Sequence, residues 1–289
     1  MTDPTGPEEY LLTLDCPDRP GIVHAVSGFL AERACNILDS QQYGDPETGR
    51  YFMRVHLALL DPAVTPDDLG SQFGEIATAF AMTWTLVPGA ARPRLLIMGS
   101  REGHCLNDLL FRWRSGTLPA DVVAVVSNHM DLASLVEPYG VPYHYVPVST
   151  ETKPEAEARL LQLVEQLDVE LVVLARYMQV LSPQLCRTLD GRVINIHHSF
   201  LPGFTGARPY HQAHERGVKI IGATAHYVTP VLDVGPIIEQ DVVRVRHDHG
   251  PAALAAAGRD VECQVLARAV RWHCERRVIT NGVRTVVFA

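Results

Sequence analysis

A chain of 289 residues, 47% hydrophobic and 20% charged, can bury the core of one large soluble domain or two smaller ones. Its formal net charge of −8 argues against nucleic acid as a bulk partner, since phosphate binding calls for a basic surface, but allows an anionic small molecule at a local Arg or Lys cluster. No apolar run approaches the roughly 18 residues of a membrane span, the acidic start MTDPTGPEEY lacks the apolar core of a secretory signal, and Cys16, Cys35, Cys105, Cys186, Cys263 and Cys274 form no C-x-x-C pair, so the chain reads as cytoplasmic, without membrane contact, disulfides or a structural zinc site.

The first predicted element is a short apolar strand at 9–14, followed by a DRPG turn in which Pro20 fixes the bend and Gly21 tolerates unusual backbone angles. Ile22, Val23, Val26, Phe29 and Leu30 then fall at helical spacing. Strands are expected at 36–43, 51–59 and 83–87, with a second helix at 67–80 after Pro66, a residue suited to a first helical turn. This β-α-β-β-α-β order over 9–87 is a ferredoxin-like unit. With D-R-P-G-I-V at 18–23 entering an amphipathic helix, it resembles the ACT domain, a small module that binds amino acids. The resemblance implies either a regulatory site at Asp18, Arg19, Gly21 and Asn36 for an effector such as methionine or glycine, or a dimerisation module without a ligand. Pairing of such modules implies a homo-oligomer, dimer or tetramer. PGAARP at 88–93 reads as a linker to a second domain at 94–289.

In that domain, strands at 94–98, 122–126, 143–146, 171–175 and 192–196 alternate with helices carrying Leu106 to Trp113 and at 132–138, 154–167 and 183–189. Such alternation argues a doubly wound, mainly parallel α/β sheet. Segments 122–126 and 171–175 are apolar without alternation, as strands covered on both faces should be. A hairpin of 224–228 and 237–245 around LDVG and a long helix at 252–276 complete the reading.

The stretch at 192–209, RVINIHHSFLPGFTGARP, concentrates the chemistry. Asn195 and His197, two apart on a strand, share one face at its carboxyl end, where open α/β sheets bind ligands. The same alternation turns His198 away. Asp233, in a Pro/Gly-rich loop, either presents a carboxylate to that edge or starts the turn before Gly235. Gly99 and Gly103 follow the first strand of the domain, but GSREG is neither a dinucleotide fingerprint nor a P-loop, and Glu102 would repel a phosphate. His211, His214, His247 and His249 have no Cys or carboxylate at metal-ligand spacing and read as surface histidines, so no metal is called for.

N-I-H at 195–197, S-F-L-P-G-F at 199–204, G-A-T-A-H-Y-V-T at 222–229 and L-D-V-G-P at 232–236 together resemble the folate-dependent formyltransferase fold. The resemblance implies a catalytic set of Asn195, His197 and Asp233. It also implies a folate pocket walled by Tyr177, Met178, Gln179, Val180 and Leu181 and by Thr229, Pro230, Val231 and Leu232. Where the ribonucleotide transferases hold a substrate phosphate, this chain reads GSREGHCLNDLL. With the ACT-like start, H-C-L-x-D-L-L at 104–110 and I-I-E-Q-D-V at 237–242, the chain is similar to the 10-formyltetrahydrofolate deformylase family. That likeness implies hydrolysis of 10-formyltetrahydrofolate to tetrahydrofolate and formate, supplying formate for purine biosynthesis and balancing the one-carbon folate pool. Folate would be the substrate, with no resident cofactor. Two alternatives stay open: a formyltransferase, marked by a strict need for an acceptor amine, and a non-catalytic folate or amino-acid sensor, in which Asn195, His197 or Asp233 would be dispensable.

Overall fold

Every second residue of the first strand is apolar, and that alternation builds the first sheet. The computed structural model describes residues 7–203 and 209–289. Residues 1–6 of the acidic start and 204–208 of the Pro/Gly-rich loop, with Phe204 of the S-F-L-P-G-F motif, lie outside the described residues. In β1 (Glu8–Pro17), Tyr10, Leu12, Leu14 and Cys16 turn to one side, matched by Met53, Val55, Leu57 and Leu59 of β3 (Arg50–Leu59). Ile22, Val26, Phe29 and Leu30 of α1 (Ile22–Glu32) and Leu69, Phe73 and Ala77 of α2 (Pro66–Phe80) complete this core. Thr65 caps α2 by accepting from the Asp68 amide, with Pro66 at its start. β2 (Cys35–Asp45) and β4 (Thr83–Pro88) are the edges of an antiparallel sheet ordered β2-β3-β1-β4.

The second sheet is mixed. β5 (Arg94–Gly99), β6 (Asp121–Ser127), β7 (Tyr143–Tyr145), β8 (Leu171–Leu174) and β9 (Val193–His197) run parallel. β10 (Ile220–Tyr227) and β11 (Ile237–Arg244) add an antiparallel edge, giving the order β11-β10-β9-β8-β5-β6-β7. The chain leaves β5 toward β6 and β7, then returns to lay β8 on the other side of β5. Carboxyl ends of strands at such a reversal open a crevice. Helices α3 (His104–Arg114), α4 (Ala133–Val136), α5 (Lys153–Gln166), α6 (Pro183–Thr188), α7 (Pro209–Glu215) and α8 (Pro251–Cys274) connect or follow the strands.

Two local features differ from the sequence reading. The helix expected at 132–138 is a four-residue α4 passing into a 3₁₀ turn, Glu137–Tyr139, because Pro138 brings no N–H and Gly140 follows at φ 71°. After α8 the chain adds an unexpected pair, β12 (Val278–Asn281) and β13 (Arg284–Val287), turned by Asn281-Gly282 with Gly282 at φ 62°. Asn-Gly between short apolar runs is the available signal for it. The chain divides into two units, residues 1–91 with Arg276–Ile279 and Val286–Ala289, and residues 92–275 with Thr280–Thr285. Among the described residues no helix is long and apolar enough to cross a membrane, and all six cysteines are free.

Candidate active site

β9 brings Asn195 and His197 to the crevice, and β10 lies antiparallel against it with His226 directly opposite Asn195. Cross-strand partners share a sheet face, so the two side chains meet: Asn195 Nδ2 lies 3.2 Å from His226 Nε2. His226 Nδ1 lies 2.8 Å from the Tyr227 carbonyl. In the neutral ring that nitrogen carries the hydrogen and donates it, leaving Nε2 to accept from the Asn195 amide.

The loop after β10 delivers the carboxylate. Asp233 sits at φ 57°, in the left-handed region. Its Oδ2 is 3.4 Å from His197 Nδ1 and its Oδ1 is 3.7 Å from His226 Nε2. The His197 imidazole first, with His226 beside it, holds its carboxyl well below the ordinary carboxylate range. Gly235 makes the loop possible, since a Cβ there would lie 1.7 Å from the Tyr227 carbonyl oxygen. That close approach lets the Tyr227 amide donate to the Pro236 carbonyl at 2.9 Å. Asp233 thus reaches the strand edge, and the loop is more than a turn.

A cavity of about 290 Å³ gathers Asn195, His197, His226 and Asp233 with Tyr177, Met178, Gln179, Val180, Leu181, Thr229, Pro230 and Leu232. Val231 is not among its walls; it is 62% exposed, and its carbonyl accepts from the Thr229 hydroxyl. Burial pushes the Tyr177 phenol up to about 12. The wall after β8 is tied to β5: Ser100 Oγ accepts from the Met178 amide at 3.0 Å and donates to Asn128 Oδ1 at 2.7 Å. Gly99 and Gly103 serve packing there, since a Cβ on either would press on Leu132 at 3.0 or 2.9 Å.

His198 departs from the alternation argument. β9 ends at His197, so His198 lies beyond the strand; its ring stacks on His197 at 5.2 Å, and it lines the same cavity. Burial first, then the Arg176 and His197 charges, lower its pKa to about 4. Alongside lies a cluster that the sequence did not single out. Glu262 of α8, 1% exposed, accepts from Tyr210 and lies 2.7 Å from His104 Nε2, with Arg176 Nε 3.4 Å away. Burial pushes the Glu262 carboxyl up, but His104, Arg176 and Tyr210 outweigh it and hold it below its ordinary value. Glu262 sits mid-helix amid apolar residues, a position where a carboxylate calls for partners. His104, Cys105 and Glu262 present ligand atoms within 4.8 Å of one another. A cation there would have to displace the hydrogen bonds on both Glu262 oxygens and face the Arg176 guanidinium, so the group is a poor fit for a metal.

The residues assigned to regulation, Asp18, Arg19, Gly21 and Asn36, are all exposed in the first unit. Gly21 takes φ 97° to start α1. Arg19 is engaged locally, donating to the Ala79 carbonyl and lying 4.2 Å over the Phe80 ring. The register does not gather these residues: Asn36 pairs with Ala58, opposite Glu9 at the start of β1, whereas Asp18 and Gly21 follow its far end at Pro17.

The "Formyl transferase" family model matches residues 93–270 and the "ACT domain" model residues 10–63, which defines the class: a formyl transferase-type α/β unit preceded by an ACT domain. Formyltetrahydrofolate deformylase of Corynebacterium sp. strain P-1 is 56% identical over 278 residues, 96% of this chain and 97% of that protein. The Bacillus subtilis formyltetrahydrofolate deformylase is 48% identical, over 96% of this chain and 93% of that one. The crystal structure of formyltetrahydrofolate deformylase from Burkholderia mallei has a TM-score of 0.94 at 52% identity, covering 98% of this chain and 100% of its own. The chain belongs to the formyltetrahydrofolate deformylase family.

Proposed function

We propose that this protein hydrolyses 10-formyltetrahydrofolate to tetrahydrofolate and formate, supplying formate for purine biosynthesis and balancing the one-carbon folate pool in the cytoplasm. The observation that carries the reading is the convergence of Asn195, His197 and Asp233 on one cavity that also carries apolar walls such as Leu174, Leu181, Ile196 and Val228. Folate lies against Tyr177 to Leu181 and against Thr229, Pro230 and Leu232 as substrate, and the formyl carbon faces His197.

Water adds to that carbon, and the carbonyl oxygen becomes an oxyanion. One Asn195 N–H is held by His226, and the second donates to the oxyanion, a contribution on the order of 10²–10³ in rate. Asp233 fixes Nδ1 of His197, so Nε2, buried and without a partner among the described residues, is the nitrogen that exchanges protons with the reactants. One water proton passes to Nε2 and on to N10 as the C–N10 bond breaks. The second leaves the nascent formic acid, giving tetrahydrofolate, formate and a proton.

The reading is tested by incubating the protein with 10-formyltetrahydrofolate alone. Formate and tetrahydrofolate are expected in equal amounts without any amine, and a strict requirement for an acceptor amine overturns it. Residues 9–87 serve as a regulatory and dimerisation domain and 94–289 as the catalytic domain. An amino-acid effector, methionine or glycine, binds beside the turn at Asp18 and Gly21 of a homo-oligomer; calorimetry detecting no amino-acid binding removes that part.

A further inference from the structure

Two residues of the cavity wall carry buried nitrogens without a hydrogen-bond partner among the described residues. His197 Nε2 and Arg176 Nε and Nη1 are buried, and none makes a hydrogen bond to a described residue. Both residues line the same cavity, together with His198. Arg176 leaves β8 at φ 62° and turns inward, its side chain 13% exposed. Behind it Glu262 stands 3.4 Å from Nε, outside hydrogen-bond geometry, with its own oxygens engaged by His104 and Tyr210. Glu262 therefore balances the guanidinium charge without saturating its N–H groups. A buried N–H without a partner costs free energy that a ligand oxygen recovers. A guanidinium fork fits the two oxygens of a carboxylate.

Water addition creates one carboxylate in this cavity, and it forms beside His197. Formyl transfer to an amine would create none. The glutamate carboxylates of folate sit at the far end of that molecule from N10.

We propose that Arg176, with His197 Nε2, forms a binding site for formate, the small carboxylate product; the proposal rests on the hydrolysis reading above. Arg176 takes up the formate oxygens as the C–N10 bond breaks. His197, protonated by the product acid, donates from Nε2 to the same carboxylate. Arg176 is a residue that distinguishes transfer to water from transfer to an amine.

The test uses sodium formate as the probe, at constant ionic strength set with sodium chloride. Inhibition of hydrolysis by formate and broadening of the ¹³C-formate resonance are measured on the full chain and on Arg176→Gln and Arg176→Lys. The lysine variant keeps a cation beside Glu262, so it guards against loss of folding, but its ammonium cannot bind in fork fashion. Saturable binding to the parent chain is expected, weakened roughly tenfold or more in either variant that folds. Unchanged formate affinity in a folded variant, or no saturable binding to a parent chain that hydrolyses its substrate, overturns the formate site and leaves the hydrolysis reading standing. A parent chain that releases no formate overturns that reading, and the site falls with it.

Discussion

Asp233 stands between two imidazoles, within ion-pair distance of both, and stays ionised. A carboxylate held so far down is a weak base, which favours orienting His197 and balancing its charge over taking a proton from water. Asp233→Asn removes the charge while keeping the shape, and Asn tolerates the left-handed backbone at φ 57° at least as well as Asp. Single-turnover formate release is expected to fall by about 10²–10⁴, with tetrahydrofolate affinity changed by no more than a few fold. Substantial residual hydrolysis would remove Asp233 from the mechanism. Asn195, His197 and Asp233 were legible because each lies in a motif read along the chain. His226 lies inside G-A-T-A-H-Y-V-T, but no spacing along the chain marks it, since only the β9–β10 register sets it opposite Asn195. Arg176 and Glu262 were invisible for the same reason, being 86 residues apart in sequence but one ion pair in space.

At the scale of elements, the loop between β10 and β11 shows how little freedom the site has. Gly235 packs onto the end of β10 where no side chain fits. Gly235→Ala must push the loop off Tyr227, breaking the Tyr227–Pro236 hydrogen bond and withdrawing Asp233 from His197. We expect a loss of about 1–3 kcal/mol in urea denaturation, as for overpacking elsewhere, together with a fall in turnover. Full activity would mean that Asp233 does not depend on this close approach. Sequence periodicity gave the strands and long helices because their apolar faces repeat. It missed what repeats nowhere: the 3₁₀ turn at Glu137–Tyr139, and the Ser100 hydroxyl linking β5 to the wall after β8. The expectation that His198 faces away failed because β9 stops one residue short of it.

For the whole molecule, the buried histidine beside the site makes stability depend on pH. His198 is packed against His197 and Tyr210, with Arg176, Glu262 and Asp233 within electrostatic reach. Its pKa of about 4 lies below the ordinary value of 6.5 that it regains on unfolding. Between those values the unfolded chain binds the extra proton, so stability rises with pH across the window, by up to about 1.4 kcal/mol per pH unit. Asp233 acts lower down: its depressed carboxyl contributes stability that is present above its ordinary value of 3.8 and lost below it. From pH 5 to about 6.5 the His198 contribution is therefore separable. In His198→Asn the non-titrating side chain removes this dependence, so the stability difference between parent and variant should shift toward the variant as pH falls from about 6.5 to about 5. Urea denaturation at several pH values in that range measures it. A difference that stays constant with pH would show that His198 is protonated alike in the folded and unfolded chain, the Glu262 and Asp233 charges offsetting its burial.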